Sequence, residues 1–225
     1  MKNGGIYDII IMYNYIMGKY AVGLKRFAYM RIILASKSPR RKEILENLGL
    51  NFEVIVADAD ENCDIKDPCA LVEEIASRKG RAVVDGLSSG CDDTLVIACD
   101  TLVYAEGEFL GKPRDREDAV RMMKLLSGKE HSVISGVYLW YSGKEATCFA
   151  ETKVSFDGIA DGVIESYVDT PEPYDKAGAY AIQSTASIFI SGIKGDYFNV
   201  VGLPVNALCN TLKEKFEIDI FEIRN

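Results

Sequence analysis

The run Ser36-Lys37-Ser38-Pro39-Arg40-Arg41 places hydroxyls, a lysine and two guanidinium groups directly after the apolar segment Arg31-Ile32-Ile33-Leu34-Ala35. Ser38 is a good helix N-cap, and Pro39 suits the first helical position, where its missing N–H costs nothing. A helix starting there aims free N–H groups and its positive dipole end at one corner, and arginine forks bind phosphate oxygens in pairs. The corner suits a polyphosphate; taken alone, it is equally an ordinary capped surface helix with solvated arginines. A second chemical signal is Asp100, which follows Thr94-Leu95-Val96-Ile97-Ala98-Cys99 and precedes Thr101-Leu102-Val103-Tyr104. An ionised carboxylate in so apolar a setting has to be hydrogen-bonded, paired or bound to a metal. It reads either as a turn aspartate satisfied by local N–H groups or as a functional acid at a strand end, where α/β proteins place their chemistry.

Further polar residues stand at element ends: the cations Arg40, Arg41, Lys79, Lys112 and Lys176, and the acids Glu61, Asp100 and Asp175. Their chemistries are complementary. Several cations neutralise a triphosphate, while carboxylates hold a divalent ion and activate water for in-line attack on phosphorus.

The elements that must position these groups follow from the pattern of apolar residues. Arg31–Ala35 and Phe52–Val56 read as strands flanking a helix that opens at Pro39 and ends at Gly49. A helix runs from Pro68 to Val84, with Leu71, Ile75 and Val83 inward and Lys79 on another face. A strand ending at Asp100 comes next, then a turn at Glu106-Gly107-Glu108 and a Gly111-Lys112-Pro113 corner. A helix starts at Asp115 and is capped at Gly128. Ser132–Tyr141 and Ala146–Phe156 form a hairpin through Ser142-Gly143. Asp161 caps a short helix with Ile164, Tyr167 and Val168. The segment Pro171–Tyr180 is a rigid loop with adjacent acid and base, leading to Ala181-Ile182-Gln183, and a glycine-punctuated stretch from Gly192 to Pro204 feeds a last helix with Leu208 and Leu212.

Composition bounds the function. The chain has 225 residues, 48% hydrophobic and 27% charged, with a formal net charge of −8. That balance argues against a nucleic-acid polymer as partner but permits a small anion in a cleft. The 6 cysteines include no C-x-x-C pair, so they read as reduced thiols of a cytoplasmic protein and not as a zinc site. The single histidine, His131, is expected in a turn and not as a catalytic base. Residues 1–29 are apolar and tyrosine-rich, but Asp8, Asn14 and Lys19 interrupt them and the cations Lys25 and Arg26 come last. They fit neither a membrane span nor a signal peptide. The expectation is that they form an ill-ordered or non-native extension, that the native start is Met30, that residues 30–225 are one domain, and that no membrane is a partner.

Taken in order, the motifs Ser36-x-Ser38-Pro39-Arg40-Arg41, Asp60-Glu61, Asp100-Thr101-x-Val103, Gly111-Lys112-Pro113, His131-x-Val133 with Gly136-Val137, Asp175–Gln183 and Gly195–Pro204 resemble the Maf family of nucleoside triphosphate pyrophosphatases, over Arg31 to about Leu212. The resemblance implies an α/β fold with a mixed sheet in two lobes, flanking helices and a central cleft, as in ITPase-like proteins. It implies cleavage between the α and β phosphates of a nucleoside triphosphate, with a divalent cation, Mg²⁺ or else Mn²⁺. Asp100 then maps onto the proton acceptor. Arg40, Thr101 and Gln183 map onto substrate-selecting positions, in the branch acting on dTTP and UTP. Ser36, Arg40, Arg41, Lys79, Lys112 and Lys176 are the expected phosphate-binding set, and Glu61 with Asp100 the expected metal ligands. A glutamine amide donates and accepts at once, which suits the carbonyl and N–H edge of uracil or thymine. Two departures stand out: Ser184 and Thr185 follow Gln183 where the family usually has glycine, and Ser135 stands where threonine is common.

The expected partner is the nucleotide, with a homodimer left open. Two other readings stand beside this one: a non-enzymatic regulator of septum formation that binds a protein, and a pyrophosphatase directed at purine or modified nucleotides.

Overall fold

Thr94–Ala105 is one unbroken strand of 12 residues, β3, and the sheet is built outward from it. Asp100 therefore lies inside a strand and not at the end of one. The reason is that strand side chains alternate between faces while the backbone ladder runs on, so one carboxylate interrupts no pairing. The structure is a computed structural model describing residues 30–87 and 93–224. The extension expected over residues 1–29 lies outside the described residues, as does Cys91.

The elements before β3 are β1 (Arg31–Leu34), α1 (Pro39–Asn47), β2 (Glu53–Val54) and α2 (Pro68–Asp85). After it come β4 (Glu108–Leu110), α3 (Arg116–Leu126), β5 (Glu130–Tyr141), β6 (Lys144–Phe156), α4 (Asp161–Val168), β7 (Ile190–Lys194), α5 (Tyr197–Val201) and α6 (Val205–Phe216). The sheet has 7 strands in the order β2-β1-β3-β5-β6-β7, with β4 also on β3. β1 runs parallel to β2 and β3, and the other pairs are antiparallel, so the expected mixed α/β sheet is observed.

The course of β3 explains the two lobes. One edge pairs with β5 from Leu95 to Tyr104. The other edge pairs with β1 over Thr94–Ile97 and with β4 over Val103–Ala105, which leaves residues 98–102 without a strand partner on that side. On one face of the sheet, Leu95, Ile97 and Cys99 join a core with α1 and α6, while Val103 and Ala105 join a second core with α3 and α4. The other face is covered along both lobes by α2. That helix lies close because Gly136 and Gly80 face each other's elements: a Cβ at Gly136 would overlap the Val72 backbone, and one at Gly80 the Tyr138 ring.

Local details refine the sequence reading. β2 pairs only through Glu53 and Val54, because β1 leaves the sheet at Leu34, and Val56 stays exposed. Ser38 is the N-cap residue of α1 but makes no side-chain cap bond; instead, Ser36 Oγ accepts from the Ser38 N–H at 3.2 Å. α4 has Ala160, not Asp161, at its N-cap. His131 is not in a turn: β5 begins one residue earlier, at Glu130, and is covered on both faces, so His131 lies in the buried interior. The β5–β6 hairpin turns through Ser142 and Gly143 with φ of 51° and 77°, the left-handed pair that a two-residue hairpin requires.

Candidate active site

The unpaired stretch of β3 forms the floor of a cleft of roughly 900 Å³. On one side, β1 ends and the chain turns through Ser36–Ser38 into α1, bringing Ser36, Arg40 and Arg41 to the wall. On the other, β4 ends and Gly111-Lys112 forms the opposite lip. α2 contributes Lys79, the polar segment before it contributes Glu61, and the loop after α4 contributes Lys176 and Gln183. With Asp100 and Thr101 on the floor, every site residue expected from the sequence lines this one cleft. Its charged lining comprises six cations and four carboxylates, in a chain whose formal net charge is −8. The positive excess focuses a small polyanion into the cleft while the outer surface stays acidic.

The floor holds an ion-pair cluster. Lys79 Nζ donates to Asp100 Oδ1 at 2.7 Å and lies 3.1 Å from Glu61 Oε2. Two carboxylates from separate elements thus converge on one cationic point. Side-chain exposure is 17% at Asp100 but 57% at Glu61, so the first is largely enclosed by protein and the second faces solvent.

Arg41 is built into the wall. Its Nε donates to the Gly202 carbonyl at 2.8 Å, Nη1 to Ser36 Oγ at 3.0 Å and Nη2 to Thr101 Oγ1 at 3.0 Å. Two of its five N–H groups stay available to an anion. A hydroxyl chain continues inward, with Thr101 Oγ1 at 2.8 Å from Ser135 Oγ and Ser135 donating to the Asn199 carbonyl at 3.1 Å. Serine at position 135 keeps the hydroxyl that this chain needs.

The far wall is a loop held in place by backbone geometry. The Gly178 N–H donates to the Gly111 carbonyl at 3.0 Å, and Gly178 adopts a φ of +68° with no room for a Cβ beside Val103. Ala179 follows at φ +63°, a left-handed conformation that costs an alanine roughly 1 kcal/mol or more. This loop presents Asp175 between two cations: Lys176 Nζ at 2.5 Å and Arg40 Nη1 at 3.6 Å. Burial pushes the Asp175 carboxyl up, but the Lys176 hydrogen bond and the charges of Lys176 and Arg40 outweigh it and hold the group below its ordinary range. Lys112 and Gln183 have no hydrogen-bonding or ion-pair partner among the described residues, so both face the cleft uncommitted.

Sequence reasoning missed Asp58, Phe109 and Tyr180, which also line the cleft, and the Gly202 carbonyl that anchors Arg41. A backbone carbonyl leaves no residue-type signal, and an aromatic side chain carries no charge that would single it out. His131, set aside as a base, is absent from the lining; its Nε2 lies 2.7 Å from the Tyr180 hydroxyl behind the far wall.

Glu61 and Asp100, which both meet Lys79 Nζ, are the carboxylates that would hold a divalent cation here. Among the described residues no cluster of three or more His, Cys, Asp or Glu side chains forms a closed cage. Two convergent carboxylates suit Mg²⁺, which is typically held by one or two carboxylates and completed by phosphate oxygens and water. No helix among the described residues is long and apolar enough to cross a membrane.

The family model described as Maf-like protein matches residues 31–215. The dTTP/UTP pyrophosphatase of Desulforamulus reducens is 48% identical over 185 residues, covering 81% of this chain and 95% of that protein. That of Thermoanaerobacter sp. (strain X514), also named dTTP/UTP pyrophosphatase, is 44% identical over 191 residues, covering 84% of this chain and 98% of that protein. Among solved structures, the Ham1 protein of Staphylococcus aureus aligns over 83% of this chain and 98% of its own at 15% identity, with a TM-score of 0.46.

Proposed function

The chain belongs to the Maf family, and we propose that it hydrolyses nucleoside triphosphates, dTTP and UTP foremost, to the monophosphate and pyrophosphate. The observation that carries this reading is the ion-paired Asp100 on the floor of a cation-lined cleft, in a chain 43–48% identical to relatives named for that activity. Asp100 accepts the proton of the attacking water, and the bond from the α-phosphorus to the bridging oxygen breaks, so that pyrophosphate leaves with the electron pair. Lys112, Lys176, Arg40 and the free N–H groups of Arg41 neutralise the phosphate chain, the leaving pyrophosphate included. The Ser36 hydroxyl accepts from Arg41 and the Ser38 N–H, which leaves its own proton for a phosphate oxygen. Gln183 reads the base, supported by its uncommitted amide.

Glu61 and Asp100 would hold the divalent cation, which supplies charge neutralisation at the phosphates when bound. The described free thiols, Cys63, Cys69, Cys99, Cys148 and Cys209, support a cytoplasmic setting. A purely non-enzymatic regulator is not favoured, since binding a protein partner requires neither the half-buried Arg41 network nor convergent acids in a cleft. The decisive experiment is pyrophosphate release from a panel of nucleoside triphosphates with Mg²⁺. We expect dTTP and UTP to lead the panel; no turnover of any member overturns the enzyme reading, and a purine leading it overturns the base assignment.

A further inference from the structure

Glu172 lies between Pro171 and Pro173, outside the cleft lining, yet its carboxylate gathers donors from the segment that carries Gln183. Oε1 accepts from the Ser184 hydroxyl at 2.5 Å and the Ala186 N–H at 3.2 Å, and Oε2 accepts from the Thr185 N–H at 3.2 Å. The Tyr167 hydroxyl stands 3.1 Å from Oε1 and is shared with the Ala179 carbonyl. Glu172 forms no salt bridge with any described cation, so uncharged donors alone satisfy this half-buried carboxylate. Burial would push the carboxyl up; these hydrogen bonds outweigh it and hold it below its ordinary range. A carboxylate solvated by uncharged protein donors is expensive to assemble, and its effect is to freeze the groups around it.

The donors that Glu172 collects are, apart from Tyr167, the three residues directly after Gln183. Gln183 itself is exposed, in a turn closed by the Ser184 N–H donating to the Ala181 carbonyl at 3.4 Å, and among the described residues its side chain has no bond of its own to set its direction. Ser184, which departs from the family's usual glycine, supplies one of the bonds, and its hydroxyl also lies 3.2 Å from the Ala181 carbonyl on the other side of the turn.

We propose that Glu172 is a positioning residue for base selection, bracing the turn after Gln183 so that the Gln183 amide meets the nucleobase in a single orientation. The proposal rests on the nucleotide reading of the cleft and adds the residue that makes the reading head rigid. An amide whose direction is free pays the ordering cost on each binding event, so removing the brace weakens base-specific binding and leaves the phosphate chemistry intact.

The test is steady-state kinetics with Mg²⁺ on dTTP, UTP, dATP and GTP for the wild type, Glu172→Gln and Ser184→Ala. Glu172→Gln turns one acceptor oxygen into a donor facing donors. We expect it to raise KM for dTTP and UTP about tenfold, with kcat within roughly threefold and purine turnover unchanged, so that pyrimidine preference falls about tenfold. Ser184→Ala keeps both backbone bonds and should move the same ratio by roughly threefold. An unchanged preference in a folded Glu172→Gln enzyme, or an equal loss on all four nucleotides, overturns the proposal. Should Glu172→Gln fail to fold, an unchanged preference in Ser184→Ala overturns it. A wild type that turns over no nucleotide overturns the underlying reading instead.

Discussion

Lys79 Nζ sits 2.7 Å from Asp100 Oδ1, across 21 positions of sequence and from a helix to the centre of a strand. The pair joins the α2 face of the sheet to the unpaired stretch of β3, so the acid is aimed by the same packing that stabilises the fold. Asp100→Asn preserves the shape and removes the proton acceptor. It should lower kcat by about 10² to 10⁴ with little change in melting temperature. Measured pyrophosphate release within a few-fold of the wild type would remove Asp100 from that role.

The neighbouring arginines should separate in kinetics. Arg41 serves three acceptors with a planar fork, which a lysine ammonium on a flexible stem does not reproduce. Arg41→Lys should therefore reduce turnover of every nucleotide alike and lower stability by about 1–3 kcal/mol through the acceptors left behind. Arg40 spends only a long 3.6 Å contact on Asp175 and is otherwise open to substrate. Arg40→Ala should change the ranking of nucleotides, and a proportionate fall across the panel would contradict its part in selection.

Much of this site was legible in the sequence because Asp100 interrupts an apolar run, Lys112 stands between glycine and proline, and Lys176 adjoins an acid in a proline-bounded loop. The open edge of β3 was not legible. It depends on where β1 ends and β4 begins on a shared edge, which is a matter of registers and not of residue types. For the same reason Asp100 was placed at a strand end, and Phe52–Val56 was expected to be longer than β2 is. Glu172 escaped notice because a glutamate between prolines reads as a solvated loop acid; only the fold brings Ser184 to it.

The close seating of α2 makes a stability prediction. Gly136 on β5 faces the Val72 carbonyl, and backbone atoms cannot rotate away as a side-chain end can. Gly136→Ala should destabilise the protein by about 3 kcal/mol and reduce activity by shifting Lys79 from Asp100. Equilibrium urea unfolding measures the first effect; a change below ~0.5 kcal/mol would mean that the helix lifts at little cost.

His131 should make stability depend on pH above the range where carboxylates titrate. Burial lowers its pKa from 6.5 to about 4, with the nearby Glu130 charge opposing. Its Nε2 is engaged by the Tyr180 hydroxyl at 2.7 Å, and its Nδ1 is buried without a partner among the described residues. The folded state therefore keeps the ring neutral while the unfolded chain protonates it near pH 6.5. Since the unfolded state binds the extra proton, stability is complete above pH 6.5 and declines as the pH falls toward 4, by about 1.4 kcal/mol per unit and about 3 kcal/mol in all. Urea midpoints measured between pH 7 and pH 4.5 should show this slope in the wild type. His131→Asn, whatever its absolute stability, should lose most of the slope across that window. An equal slope in both proteins would show that His131 is charged in the fold, and that some other group accounts for the decline.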